Sequence, residues 1–272
     1  MLVLTVPVDD SDRASAVLWG RGVRAIEERT PVGSGHRGTV ELWTSLGGPD
    51  ATERARAELS VTWHCRIERV DDVAAQTWRD HASPMWIGDD LVIVPAWQPH
   101  EYDAAVMAVP IEPAGAFGLG DHPTTRLCLA AVMDHDLADR RVADVGCGTG
   151  VLSVVAARRG ARIVRAVDVA EAAVTATHDN AVANGVGDRI EVDGRPACDL
   201  DGEFDVVLAN ILAPELIALA PDLRRLTAAH GHLVVSGILA GAHGHVLEAL
   251  APMRVVATDT LDGWAAVTLA HD

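Results

Sequence analysis

Apolar and polar positions alternate in short bursts along the first seventy residues, and the period of alternation changes from burst to burst. Residues 2–8 (LVLTVPV) carry a strand pattern, residues 10–20 a helical one with Asp or Ser available as N-cap, and residues 23–30 a second strand. A Pro/Gly/Ser-rich loop over 31–38 leads to a strand over 39–46. Residues 50–59 (DATERARAEL) form an amphipathic helix opened by Pro49 and Asp50, and residues 61–70 a last strand.

The resulting order, βαββαβ, is that of a small ferredoxin-like α+β domain over residues 1–70. Its His36 and His64 lack a partner at metal or triad spacing, so a recognition or docking role is expected of it. Residues 71–83 read as a linker helix, and residues 84–272 as a second, larger domain. That domain opens on two apolar strands, over 91–97 and 105–111. From Arg141 onward strand and helix patterns alternate to the end of the chain, with two last strands finishing at Leu269. Such alternation implies an α/β fold, a doubly wound parallel sheet with helices on both faces, whose ligands bind outside the carboxyl ends of the strands.

At one of those ends the pattern breaks into chemistry. Residues 141–152, RVADVGCGTGVL, run from a strand through Gly146, Cys147, Gly148 and Gly150 into an apolar helix. Glycines in alternation let the chain turn tightly and let a ligand lie against bare backbone amides. A dinucleotide fingerprint, GxGxxG, requires glycine at position 151, where Val151 stands. The GxGxG spacing, with Asp144 two residues ahead of it, is that of S-adenosylmethionine enzymes. The next strand ends in Asp168, 22 residues after Gly146. There a carboxylate accepts hydrogen bonds from both ribose hydroxyls, with Val169 beside it.

Three further segments belong with the turn, the last of them residues 236–239 (SGIL), for which a plain strand end is the alternative. Residues 116–127, AFGLGDHPTTRL, form a loop that starts a helix at Pro123 to Thr125. Its candidate cofactor contacts are Phe117, Gly118 and Gly120 from the loop and the hydroxyls of Thr124 and Thr125, where a carboxylate meets a helix N-terminus. Residues 205–213, DVVLANILA, form a buried strand ending in Asn210. The Asn210 side-chain oxygen is placed to accept a hydrogen bond from an amine nucleophile and aim its lone pair. Asn210 is therefore the candidate catalytic residue as well as a cofactor neighbour. A role as cap of the following helix is the alternative. His122 is read as a local hydrogen-bond anchor, and the pairs His230/His232 and His243/His245 as solvated turn histidines rather than metal ligands. No metal is expected.

Composition narrows the classes that remain. Among 272 residues, 22 Lys and Arg face 39 Asp and Glu, a net charge of −17, which repels nucleic acid and favours a basic partner. Neither a signal peptide nor a membrane span is evident, so the expected compartment is the cytoplasm, without membrane attachment. The four cysteines, Cys65, Cys128, Cys147 and Cys198, have neither disulfide-framework nor zinc spacing. Cys147 is expected in the turn for its small size.

Taken in order, AFGLGDHPTT, DVGCGTGVLSVVA, AVDV, LANILAPEL and SGIL, preceded by IGDDLVIVPAW, resemble the bacterial ribosomal-protein methyltransferases of the PrmA type. The resemblance covers about residues 70 to 272. It implies a seven-stranded class I (Rossmann-like) methyltransferase domain with S-adenosyl-L-methionine as cofactor. It further implies methyl transfer to lysine or N-terminal amines of ribosomal protein L11, or of a related protein, captured by the N-terminal domain. The family's cofactor positions carry over onto Thr125, Gly146, Asp168 and Asn210. A small-molecule methyltransferase and a non-catalytic cofactor-binding paralogue are the alternatives. The sequence leaves the oligomeric state open, with a monomer favoured.

Overall fold

In the computed structural model, which describes all residues except Gly20, Gly22, 24–25, 30–37, Gly47, 69–81, 99–100 and 114–121, the chain divides into two units, Met1–Ala82 and Ser83–Asp272. In the first, β1 (Leu2–Pro7), α1 (Ser11–Trp19), β2 (Ile26–Arg29), β3 (Thr39–Thr44), α2 (Pro49–Leu59) and β4 (His64–Ile67) follow one another. The strands pair antiparallel in the order β2-β3-β1-β4. Successive side chains on a strand point to opposite faces. Leu2, Leu4 and Val6 of β1 and Val40 and Leu42 of β3 therefore share one core with Ala14 and Leu18 of α1 and Ala55 and Leu59 of α2. On the sheet, Arg66 of β4 reaches Glu41 of β3 through two hydrogen bonds of 2.8 and 3.0 Å.

β4 begins three residues later than its apolar pattern suggests. Ser60 N donates to Arg56 O, and Thr62 N and Trp63 N both donate to Leu59 O, so the chain is still winding off α2 at Val61. The linker helix expected over 71–83 falls almost wholly outside the described residues, as do His36 and nearly all of the loop over 31–38.

The second unit opens on a three-stranded sheet of β5 (Met85–Ile87), β6 (Leu91–Pro95) and β7 (Met107–Ile111). β5 is absent from the sequence reading, because three residues give no period to detect. Then follow α3 (Pro123–Asp134), β8 (Arg141–Val145), α4 (Val151–Arg158), β9 (Ile163–Val167), α5 (Glu171–Ala183), β10 (Ile190–Asp193) and β11 (Phe204–Asn210). The chain closes with α6 (Ala213–Leu226), β12 (Thr227–Leu239), α7 (Gly244–Leu250), β13 (Arg254–Leu261) and β14 (Trp264–Ala270).

Strands β8 to β14 form one sheet in the order β10-β9-β8-β11-β12-β14-β13. It is mixed, not all parallel. β10, β9, β8, β11 and β12 run parallel, whereas β14 is antiparallel to both of its neighbours. The reason is local: Asp262 (φ 50°) and Gly263 (φ 82°) turn β13 straight into β14, and a two-residue connection with both φ positive makes an antiparallel hairpin.

The central strands are apolar on both faces, as a sheet covered on both sides requires. Val142, Leu208 and Val234 share one core with α3, α4 and the three-stranded sheet. Their chain neighbours Ala143, Val207 and Val235 share the other with α6 and α7. Two-sided burial leaves the strand ends as the place for polar chemistry.

Candidate functional site at the carboxyl ends of the strands

The glycine turn leaves β8 with all three glycines in the left-handed region, Gly146 at φ 78°, Gly148 at 57° and Gly150 at 77°. Residues with a β-carbon adopt that region only at a cost. Two hydrogen bonds tie the turn to the neighbouring strand: Gly146 N and Cys147 N both donate to Val167 O, at 2.8 and 3.2 Å. This brings Asp168, one residue past β9, against the turn. Asp168 Oδ2 accepts from Gly148 N at 3.1 Å, and Oδ1 from Ala170 N at 2.9 Å. Each carboxylate oxygen keeps a second acceptor position. Val169, beside it, is 79% exposed.

Beneath the turn lies Asp144, 1% exposed. Its Oδ2 accepts from Ser153 Oγ at 2.6 Å, while its buried Oδ1 has no hydrogen-bond partner among the described residues. Burial raises its pKa from 3.8 to about 6; the Ser153 hydrogen bond pulls it down and the Asp168 charge pushes it up. An unpartnered buried carboxylate oxygen costs about 1–3 kcal/mol or more and so marks a place where a cationic donor belongs.

Cys147 contributes no nucleophile. Its buried thiol accepts from Thr177 Oγ1 at 3.2 Å, and burial first, then the Asp144 charge, pushes its pKa up. Cys128 of α3, fully buried, is pushed up to about 12 by the same effects.

The first turn of α3 faces the same rim. His122 is the N-cap: Thr124 N donates to its Nδ1 at 3.3 Å, and Thr124 Oγ1 lies 2.8 Å from that nitrogen. Its ring packs edge-on against Trp264 with centroids 5.0 Å apart. Thr124 and Thr125 are each 2% exposed. Asn210 Nδ2 donates to Thr125 Oγ1 at 3.3 Å, which joins the end of β11 to the start of α3. Asn210 does not cap the next helix; the N-cap of α6 is Leu212.

Asp144, the glycine turn, Asp168, Thr124, Thr125 and Asn210 thus all lie at strand ends or at a helix N-terminus. Phe117, Gly118 and Gly120 lie outside the described residues. Two histidine pairs need correction, since neither occupies a turn. His230 and His232 belong to β12, where the ring of His232 meets that of His135 at 5.1 Å, and His243 is the N-cap of α7, with His245 inside it.

The sequence reading assigned no individual role to four residues. Ser153 holds Asp144. Asn180 Nδ2 donates to Glu112 O at 2.8 Å and Thr149 O at 2.9 Å, while its Oδ1 accepts from Glu112 N at 2.9 Å. Its amide therefore clasps the end of β7 to the glycine turn. Ile211 packs against Gly146 of the turn on one side and against Gly237 on the other. Only a polar residue inside an apolar helical face, as at Ser153 and Asn180, gave any signal.

A separate hollow of about 500 Å³, lined by Arg158 and Arg189 among others, lies at the opposite ends of the strands. Its guanidiniums are engaged with backbone: Arg158 Nη1 with Ala108 O and Arg189 Nη1 with Ala157 O.

Residues 49–272 match the family model described as ribosomal protein L11 methyltransferase (PrmA). The match begins within α2, upstream of the motifs that suggested it. The ribosomal protein L11 methyltransferase of Geobacter sulfurreducens is 40% identical over 204 residues, 74% of this chain and 67% of that relative. The protein of the same name from Marinobacter nauticus is 36% identical over 277 residues, 93% of this chain and 92% of the relative. A crystal structure of a ribosomal protein L11 methylase from Lactobacillus delbrueckii subsp. bulgaricus superposes with a TM-score of 0.66 at 29% identity, covering 70% of this chain and all of that one. These relatives do not favour the small-molecule or non-catalytic alternatives.

Proposed function

Since the chain belongs to the ribosomal protein L11 methyltransferase family and is a methyltransferase, we propose that it uses S-adenosyl-L-methionine to methylate lysine or N-terminal amines of ribosomal protein L11 or a closely related basic protein. The observation that carries this reading is the strand-end rim, where a glycine turn, two carboxylates and an amide converge.

The residues suit that cofactor. Asp144 Oδ1, buried and without a partner among the described residues, matches an α-ammonium. The α3 N-terminus with Thr124 and Thr125 matches a carboxylate. Asp168, at the end of β9, matches the ribose hydroxyls, and Val169 offers an apolar edge beside it. When bound, the cofactor supplies an electrophilic methyl group on a sulfonium.

What remains for the chain is positioning and desolvation. Asn210, its Nδ2 donated to Thr125, presents Oδ1 as acceptor for an N–H of the incoming amine. The exposed Leu212 beyond it gives that amine's hydrocarbon stem an apolar surface. The first unit, a ferredoxin-like βαββαβ fold, captures the acceptor. The enzyme works in the cytoplasm; among the described residues no helix is long and apolar enough to cross a membrane.

Incubation with labelled S-adenosylmethionine and a lysate lacking the enzyme, followed by mass spectrometry, is expected to place label on amines of L11. Label on no protein would overturn the proposal. Two variants divide the roles. Asp168→Ala is expected to weaken cofactor binding by about tenfold or more in calorimetry, for loss of charge-assisted hydrogen bonds. Asn210→Ala is expected to lower kcat about 100-fold with cofactor affinity little changed.

A further inference from the structure

β8, β11 and β12 are successive neighbours in the sheet, and Ile211 stands between the ends of the outer two. A β-carbon on Gly146 would lie 2.3 Å from Ile211 Cγ2. A β-carbon on Gly237 would lie 2.1 Å from Ile211 O and 2.7 Å from its carbonyl carbon. The two contacts differ in kind. The first is with the end of a side chain, which can rotate; the second is with backbone, which cannot.

Gly237 also interrupts its own strand. Its φ is 87°, and it falls where the register of β12 with β14 shifts between Val235 and Ile238. Ser236, just before it, pairs with Asn210. The irregularity therefore lies beside the residue that ends β11, at the point where Ile211 leaves the sheet.

We propose that Gly237 is a positioning residue for methyl transfer. By lacking a side chain it seats the Ile211 peptide against β12, and this fixes the direction in which Asn210 faces Thr125 and the acceptor. The proposal rests on the reading of Asn210 as the residue that meets the amine. A β-carbon at 237 has to push the 210–212 backbone away by about 1 Å to restore van der Waals distance, and displacements of that size at a reacting centre cost about 100-fold in rate. The hydrogen bonds of Asp144 and Asp168, to Ser153, Gly148 and Ala170, do not involve this peptide.

The test compares full-length Gly237→Ala, Gly237→Asn, Asn210→Ala and the Asn210→Ala/Gly237→Ala double variant with the parent. It uses thermal melting, calorimetry with S-adenosylmethionine, and steady-state kinetics on L11. Asn tolerates positive φ but carries a β-carbon, so both position-237 variants are expected to lose kcat about 100-fold, with cofactor affinity within about threefold. If the alanine variant fails to fold, the asparagine variant carries the comparison. The double variant is expected to be no slower than Asn210→Ala alone. Near-parental kcat in folded Gly237→Ala, restored kcat in Gly237→Asn, or multiplied losses in the double variant would overturn the positioning role. Unchanged kcat in Asn210→Ala would instead overturn the underlying reading of Asn210, and the proposal with it.

Discussion

Asp144 sits at the point where a single proton changes the electrostatics of the whole rim. Its pKa of about 6 makes it charged at neutral pH and neutral in mild acid. Cofactor affinity is therefore expected to hold above pH 6 and to fall as pH drops through it, because the ammonium loses its counter-charge. The ligand-free protein responds with the opposite sign. With the folded value raised from 3.8, the native state binds the proton more tightly than the unfolded chain between about pH 4 and 6, so this group alone favours the ligand-free fold as pH falls. The gap in Tm between cofactor-loaded and ligand-free protein should close across that window. A constant gap from pH 5 to 8 would remove Asp144 from the ammonium. Gly146, Asp168 and Asn210 were legible in the sequence because each marks a strand end with a residue type that a strand does not need. Ser153, Asn180, Ile211 and Gly237 were not, since their roles come from contacts between segments 9 to 68 positions apart.

Among the elements, α3 and β12 meet through the ring pair His135–His232. Burial lowers the His232 pKa from 6.5, and the nearby His135 and Arg254 charges lower it further. Here the unfolded chain takes up the proton first, so the contribution to stability is complete above pH 6.5 and is lost as pH falls below it. Melting curves from pH 5 to 8 should show this loss in the parent and a smaller one in His232→Gln; equal slopes would refute it. Helix and strand order was largely readable, because β11 and α6 carry uninterrupted patterns bounded by turns. The start of β12 was not, because TAAHGH is too polar to announce a strand and becomes one only by pairing with β11 and β14. The direction of β14 was hidden for a different reason: periodicity says nothing about parallel or antiparallel pairing, and only Asp262-Gly263 carried that information.

For the molecule as a whole, the charge of −17 sets the terms of encounter with its acceptor. The proposed basic acceptor would approach down a favourable field that salt screens, with a Debye length of about 8 Å at physiological ionic strength and about 3 Å at 1 M. KM for L11 is expected to rise several-fold between 0.05 and 0.5 M NaCl, with kcat and cofactor affinity nearly constant, in steady-state assays at fixed pH. A salt-independent KM would mean that apolar contacts dominate capture.

The position of β14 has one more consequence, which concerns the order of synthesis. β14 lies between β12 and β13, and its Val267 and Leu269 are fully buried. Residues 264–270 are thus an inner strand of the sheet, although they are made after every other strand in it. Until Ala270 has been translated and has left the ribosome's exit tunnel, β12 presents an unpaired edge and the core around α6 stays open. The second unit therefore completes its fold only once residues 264–270 have emerged, and a chain stopped short of Trp264 is expected to be an aggregation-prone fragment instead of a weakened enzyme.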